Sequence, residues 1–362
     1  MDTLASNLSS YDEHELSHSS LIHGLPDDIS LFCLARVPRK YHTVLKCVSK
    51  RWRDLICSDE WRDHRQKHSL GESWIYALCR DKSNDELCCY VLDPSSARQG
   101  FWKSIPRLPP RCVKRKGMGF EVIGKKLYLL GGCGWSEDAI DEVFCYDVSA
   151  NTWSEVASMP TARCFFGCSA MEGKIYAIGG YGLETSVQRS WDTYDSHSNT
   201  WDSHSDPNII LDIEDSIAMD GEIYIRSRTS AIPPHVYMAT YDPLSARWQQ
   251  DNADMALGWQ GPAVVVEDKL YVLDQSSGTK LTMWVKDTGE SVAVCRLSPL
   301  VTRPPCQMVA AGRNIFIVGR GLSTVIVNVG NVGGIDGVVA STSIPSFSSD
   351  NYYVISCKSV SV

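Results

Sequence analysis

The sequence lacks any hydrophobic run that approaches the ~18 residues needed for a membrane-spanning helix. Residues 1–20 also lack the basic start and the apolar core of a secretory signal peptide, and we expect them to form a disordered tail. These absences predict a protein that has no membrane partner and resides in the cytoplasm and/or the nucleus.

The fourteen cysteines include no CxxC pair, and neither Cys88–Cys89 nor Cys164–Cys168 has the spacing of a zinc finger. We therefore expect reduced thiols that behave as small buried hydrophobic side chains. His64 and His68 stand one helical turn apart, but two imidazoles alone do not make a metal site, and we interpret them as a solvated helix end. The sequence predicts no metal and no cofactor.

Most of the common signatures of catalysis are missing as well. There is no GxSxG sequence, and the one HExxH match, His14–His18, lies in the tail that is expected to be disordered rather than on a helix. The glycine-rich stretch Gly131–Ser136 lacks the Gly-Lys-Ser/Thr ending of a phosphate-binding loop and is typical of a turn after a strand. The adjacent carboxylates Asp85–Glu86 and Glu214–Asp215 would need a shared cleft for acid/base work, which the sequence does not reveal. No catalytic residue is predicted.

Charge is distributed unevenly along the chain. Residues 21–68 contain 10 Lys/Arg against 6 Asp/Glu, a net charge of +4. Since the whole chain has a net charge of −8, the rest of the chain has a net charge of −12. An acidic larger part disfavours binding to a polyanion. The arginines of the small segment are interpreted as solvated helix faces: Arg51, Arg53, Arg62 and Arg65. We therefore predict no nucleic-acid partner.

An internal repeat dominates the chain after residue 72. Aromatic residues recur in similar apolar runs at intervals of 48, 48, 47 and 45 residues: Tyr128, Tyr176, Tyr224, Tyr271 and Phe316. A degenerate earlier copy begins at Trp74, which makes six units. Each unit contains four short extended runs separated by Gly, Pro, Asn and Asp, a pattern that predicts a four-stranded antiparallel meander. Six such sheets, stacked around an axis, predict a six-bladed β-propeller over residues 72–362.

Two details of the repeat predict how the ring is built. The glycine pairs Gly131–Gly132 and Gly179–Gly180 are expected to end an inner strand at a sharp turn near the axis. The first copy has no apolar run before Trp74, whereas an unmatched run at 352–360 ends the sequence. We expect this C-terminal strand to become the innermost strand of the first blade and to close the ring.

The recurring motifs resemble kelch repeats. The residues that carry the resemblance are the double glycines, Tyr-Asp at Tyr146–Asp147, Asn-Thr-Trp at Asn151–Trp153, and Met159–Pro160 followed by Arg163. Kelch receptors use the loops at one end of the ring to bind other proteins. The resemblance therefore implies candidate client-binding residues at Arg163, Arg111 and Arg303, with aromatic candidates on neighbouring loops: Trp135, Tyr181 and Trp259. An arginine after such a turn is also compatible with hydrogen bonds to the carbonyls of a neighbouring blade.

Residues 21–68 have helical rather than strand spacing. Pro26 precedes a helix with Asp27 and Asp28 in its first turn, and Pro38 ends it. The apolar positions of this helix are Ile29, Phe32, Cys33 and Val37. A second helix is expected to direct another set inward: Val44, Leu45, Val48, Trp52, Leu55 and Ile56. Three short helices bury little surface and tend to leave an apolar face for a partner.

This segment resembles the F-box, on the evidence of Leu25–Asp28, Pro38 and Val48–Arg53. The resemblance implies docking onto a Skp-type adaptor, and through it onto a cullin scaffold. The residues that would face the adaptor are Leu25, Pro26, Ile29, Val37, Pro38 and Leu45. Several of these, together with Val48 and Trp52, are also compatible with the core of the three helices, and for Trp52 we favour the core.

The expected architecture is thus a multidomain α + all-β protein, with a three-helix F-box followed by a six-bladed kelch propeller. The expected function is that of a non-catalytic substrate receptor in an SCF-type ubiquitin ligase, which binds an unknown protein substrate through the propeller. A kelch scaffold or a metal-dependent kelch enzyme that acts outside a ligase remains the alternative. The F-box discriminates between them, because the kelch enzymes lack one.

Overall fold

The computed structural model describes residues 20–68, 70–94, 102–136, 138–183, 185–228, 235–250, 253–276, 278–286, 288–330, 341–344 and 351–361. The predicted disordered tail falls almost entirely on residues 1–19, outside the described part of the chain. The chain forms two compact units, Met1–Glu72 and Ser73–Val362.

The first unit is helical. It contains α1 (Asp27–Ala35), a 3-10 turn (Arg39–Tyr41), α2 (His42–Val48), α3 (Lys50–Cys57) and α4 (Asp59–Lys67). The long second helix expected from the sequence is divided, because Ser49 adopts extended dihedral angles and its Oγ accepts a hydrogen bond from the Trp52 amide. Ser58 caps the next helix in the same way through the Trp61 amide. The helical segment is therefore confirmed, with four short helices rather than three.

A small core holds these helices together. Leu31, Leu34, Ile56 and Trp61 are buried in it, and Trp52 packs against it while donating its indole N–H to the Leu21 carbonyl at 2.7 Å. Arg65 was expected on a solvated face, but its side chain is buried. Its guanidinium donates to the carbonyls of Ala35 and Leu70 and pairs with Glu72 at 3.2 Å. Arg65 thus ties the end of α1 to the end of the unit.

The second unit is a six-bladed β-propeller of four-stranded antiparallel sheets. Blade 1 consists of β1 (Ser73–Asp81), β2 (Glu86–Leu92), β3 (Lys103–Ser104) and β24 (Tyr352–Ser361), and blade 2 of β4 (Gly119–Ile123), β5 (Lys126–Leu130), β6 (Val143–Asp147) and β7 (Thr152–Val156). Blade 3 consists of β8 (Gly167–Met171), β9 (Lys174–Ile178), β10 (Ser190–Asp195) and β11 (Thr200–Ser205), and blade 4 of β12 (Ile213–Met219), β13 (Glu222–Arg228), β14 (Val236–Asp242) and β15 (Arg247–Gln250). Blade 5 consists of β16 (Ala263–Val266), β17 (Lys269–Asp274), β18 (Thr279–Val285) and β19 (Glu290–Leu297), and blade 6 of β20 (Gln307–Ala311), β21 (Asn314–Val318), β22 (Thr324–Asn328) and β23 (Ser341–Ile344). Short helices α5 (Ala253–Gly258) and α6 (Pro299–Thr302) lie in the connections into blades 5 and 6.

The last strand of the chain lies in the first blade. β24 pairs with β1 from Ser73 opposite Ser361 to Asp81 opposite Tyr352, and it contacts the first strands of blades 2 and 6. The two ends of the propeller sequence therefore share one sheet, and the pairing replaces the apolar strand that is missing before Trp74.

Repeated Tyr–Trp pairs fill the blades. Tyr146 lies opposite Trp153, Tyr194 opposite Trp201, and Tyr241 opposite Trp248 on adjacent strands, with ring centroids 5.2, 4.9 and 5.2 Å apart. Cross-strand aromatic pairs of this kind stabilise a sheet by packing beyond the area that they bury. The Tyr and Trp residues that recur in the sequence therefore form the same packing contact in each of these three blades.

The glycine pairs lie at a different place from the one expected. They follow the second strand of their blades, β5 and β9, and not the innermost strand. A Cβ at Gly132 would come within 2.8 Å of the Lys116 carbonyl oxygen, and one at Gly180 within 2.7 Å of the Cys164 carbonyl oxygen. Both glycines also have φ near +87°. Glycine is required here by the neighbouring loops, not by crowding at the axis.

Candidate functional site

The helical unit exposes several apolar side chains around α1 and α2. Leu25 and Ile29 are exposed at the start of α1, as is Pro26, which precedes its first turn. Phe32 lies one turn further along and is also exposed, with the Arg36 guanidinium 3.3 Å from its ring centre. An apolar surface that the unit does not cover itself is typical of a docking site for another protein.

The structure corrects the expected direction of two side chains in α2. Val44 is 64% exposed and Val48 is 59% exposed, although both were predicted to point inward. The physical reason is the break at Ser49, which ends α2 and restarts the helical phase, so that only Leu45 of α2 packs against the core. The exposed valines enlarge the apolar surface.

The remaining predicted adaptor residues are half-buried: Val37, Pro38 and Leu45. Val37 and Pro38 form the bend between α1 and the 3-10 turn, and His42 Nε2 lies 3.0 Å from the Val37 carbonyl oxygen. Burial lowers the pKa of His42 to about 4, so this ring is neutral at pH 7 and donates to that carbonyl. The bend is therefore stabilised by a hydrogen bond from a neutral imidazole, that of His42.

One end of the propeller carries most of its exposed apolar side chains. Because neighbouring strands are antiparallel, the connection from the second to the third strand of a blade and the connection to the next blade emerge at the same end, here called the upper face. Eight of the eleven exposed large hydrophobic side chains described in the propeller lie there: Trp135, Phe165, Tyr181, Leu183, Leu211, Leu257, Leu300 and Val301. Leu244 lies at the opposite, lower face, and Tyr237 and Val292 lie in strands. Such asymmetry favours the upper face as the binding surface.

Backbone contacts link these loops into a continuous rim. Lys116 and Cys133 exchange backbone hydrogen bonds at 2.9 Å, the Phe165 amide donates to the Gly117 carbonyl at 2.9 Å, and Cys164 pairs with Tyr181. The Tyr181 hydroxyl donates to Asp212 at 2.5 Å, and this hydrogen bond raises the pKa of the phenol. The rim therefore extends from the connection into blade 2 as far as the connection into blade 4.

Two predicted client-binding residues are unavailable to a client. Arg163 is 0% exposed, because it donates to Asp192 at 2.9 Å and to the carbonyls of Gly179 and Ser190. Trp259 is also 0% exposed and lies beneath the Arg226 guanidinium, 5.5 Å from it. Both residues stabilise the loops instead of contacting a partner, so these two predictions are wrong.

The other four candidates lie on the upper face. Trp135 is 99% exposed and Tyr181 is exposed, whereas Arg303 is half-buried at the end of α6. Arg111 is exposed and pairs with Glu142 at 3.2 Å. Their role in client binding stays a prediction.

Arg115 is the counterpart of Arg163 that sequence reasoning missed. It is buried, pairs with Glu142 and points toward the Gly131 carbonyl, just as Arg163 bonds to Gly179. The pairing with Arg115 lowers the pKa of Glu142. The 48-residue offset between Arg115 and Arg163 equals the offset between Tyr128 and Tyr176, and it could have identified the residue.

A polar channel of about 410 Å³ passes between the innermost strands. Lys358 of β24 pairs with Glu121 of β4, and the Ser169 hydroxyl donates to Ser216 at 3.0 Å. The Glu121 carboxylate raises the pKa of Lys358 against the opposing effect of burial, whereas burial raises the pKa of Asp215 to about 6. These contacts join blade 1 to blade 2 and blade 3 to blade 4 near the axis.

The described residues contain no disulfide bond. All fourteen cysteines are free. Within the described residues, no group of three or more His, Cys, Asp or Glu side chains is placed to hold a metal ion, and no helix has the length and apolarity needed to cross a membrane.

Comparison with known proteins covers both units. The F-box domain matches residues 22–64, and the FKB95 Kelch-repeats domain matches residues 74–318. The chain is 50% identical over 346 residues to F-box/kelch-repeat protein SKIP4 of Arabidopsis thaliana, covering 95% of each protein, and 25% identical over 326 residues to F-box protein AFR of the same organism, covering 86% of this chain and 84% of AFR. The solved structure of YjhT aligns with a TM-score of 0.50 at 14% identity, over 70% of this chain and 91% of that one, and shows similarity of fold alone. The chain belongs to the F-box/kelch-repeat family.

Proposed function

We propose that this protein is the substrate-recognition subunit of an SCF-type ubiquitin ligase. In this proposal the helical unit docks onto a Skp-type adaptor, and through it onto a cullin, while the propeller binds the protein to be ubiquitinated. The observation that carries the proposal is the uncovered apolar surface of the F-box unit, at Leu25, Ile29, Phe32, Val44 and Val48. The protein would contribute proximity, bringing a target to a ubiquitin-conjugating enzyme that performs the reaction.

The energetics of such a contact favour a few residues at its centre. Leu25 and Ile29 lie close together at the start of α1, and both are exposed, so their truncation removes contact area without opening a cavity in the helical core. If each contributes about 1–2 kcal/mol to binding, the double change weakens adaptor binding at least ~30-fold. The fold of the chain is left intact.

The test is a pull-down of the full chain with a recombinant Skp-type adaptor. We expect wild type to bind and Leu25→Ala/Ile29→Ala to lose binding, with unchanged circular dichroism. The matched control is Leu244→Ala, which removes an exposed leucine from the lower face of the propeller and should bind like wild type. Failure of well-folded wild type to bind the adaptor contradicts the proposal. A cytoplasmic and/or nuclear location stays part of it, to be checked by cell fractionation.

A further inference from the structure

The upper face contains a cluster of positive charge beside its apolar side chains. The connection from β3 to β4, residues 105–118, contains five Lys/Arg and no Asp/Glu and is here called the basic connection. It lies in a protein of net charge −8, so it stands out against an acidic background. Nearby carboxylates neutralise part of it, since Glu142 pairs with Arg111 and Arg115 and Asp85 lies 3.8 Å from Lys116.

Two cations of the basic connection have no such partner. Arg107 and Lys114 are exposed, and neither forms an ion pair within the described residues. The following connection, between β5 and β6, carries Asp138 and Asp141 on its exposed surface. The surplus of positive charge is therefore confined to the side of the rim that lies next to blade 1.

Apolar side chains continue from this charge along the rim. Trp135, Phe165, Tyr181, Leu183 and Leu211 are all exposed and are here called the apolar rim. The Gly117 carbonyl at the end of the basic connection accepts a hydrogen bond from the Phe165 amide, so the two regions touch. Buried Arg115 and Arg163 fix the loops beneath, which lowers the entropy that a partner must remove on binding.

We infer that the upper face binds an extended peptide segment of a client protein that carries Asp or Glu residues next to large apolar side chains. The carboxylates lie against Arg107 and Lys114, and the apolar side chains lie against Trp135 and Phe165. Charge complementarity speeds association and sets the direction of the segment, while the aromatic contacts supply most of the affinity. This inference rests on the proposed function and defines the chemistry of its client.

Selection from a displayed library of short random peptides, with the full-length chain as bait, tests the inference. We expect the enriched peptides to combine Asp or Glu with Trp, Phe or Leu. A synthetic peptide from the selection should bind Arg107→Glu/Lys114→Glu and Trp135→Ala each about tenfold more weakly than wild type, and raised salt should weaken the charge-dependent part. The matched control is Arg247→Glu/Lys269→Glu, where two exposed cations are reversed at lower-face strand starts. It should leave affinity unchanged.

Several results would overturn the inference: no enriched peptide, enriched peptides without acidic residues, or equal loss in the control variant. A dimer in light scattering that Trp135→Ala dissociates would also overturn it, because a second copy of the chain would then occupy the face. Adaptor pull-down with the same variants separates the two proposals. If wild type fails to bind the adaptor, the proposed function is wrong. If wild type binds the adaptor but the upper-face variants bind the peptides as tightly as wild type does, only this inference is wrong.

Discussion

Replacing Arg163 with methionine provides a demanding test of the propeller's architecture. The guanidinium is fully buried and donates to Asp192, Gly179, Val187 and Ser190. Methionine has a similar length but neither charge nor donors, so the change removes the interactions with little change in volume.

The expected cost follows from what remains around Asp192. After the substitution this buried carboxylate keeps two hydroxyl partners among the residues that the structure describes, Ser203 at 2.7 Å and Thr161 at 3.4 Å. Removing one partner of a buried ion pair costs about 3–5 kcal/mol, because the other charge stays buried without compensation. Since two hydroxyl groups remain, we expect the lower end, about 3 kcal/mol of unfolding free energy.

Equilibrium urea unfolding of the full chain, followed by circular dichroism, measures this value in the transition of the propeller. The control is Arg111→Met, which breaks two exposed ion pairs and should cost no more than about 1 kcal/mol. Adding Asp192→Asn to Arg163→Met should recover at least about 1 kcal/mol, because the stranded charge disappears. If Arg163→Met unfolds within about 1 kcal/mol of wild type, the reasoning from burial and pairing is refuted.

Two further changes test other features of the fold. Ala246 has φ of +52° at the place where Asn151 and Asn199 accept hydrogen bonds from a tyrosine hydroxyl, so Ala246→Asn should stabilise the propeller by about 0.5–1 kcal/mol in urea unfolding; a destabilised variant would contradict this. Asp215 has a folded-state pKa raised by burial from 3.8 to about 6, so the folded protein binds this proton more tightly than the unfolded chain does. Stability should therefore fall as pH rises from 4 to 6, by no more than about 3 kcal/mol, and Asp215→Asn should remove this fall and be the more stable protein at pH 7. Equal pH profiles for wild type and Asp215→Asn would show that Asp215 is not the responsible group.

Much of the fold could be predicted because its signals are local or periodic. The 48-residue spacing of Tyr128 and Tyr176 is a periodic signal, whereas the Tyr–Trp pairs and the helix before Pro38 depend on residues that are close in sequence. Part of the exposed apolar surface of the helical unit was predictable for the same reason, since Leu25 and Ile29 lie within one helical turn of each other and are both exposed. The break at Ser49 was not recognised, and so the direction of Val44 and Val48 was predicted wrongly.

The sequence by itself determined the number of repeats, the identity of the helical segment and the chemical types of residue on the loops. Tertiary structure alone decided which of those residues a partner can reach. Arg163 and Trp135 each follow a repeat motif on an upper-face loop, yet one is 0% exposed and the other 99%. The reason is that the exposure of a side chain on a propeller loop depends on carboxylates and carbonyls of other strands, such as Asp192 beside Arg163. These groups are distant in sequence, so no local sequence pattern predicts the contact.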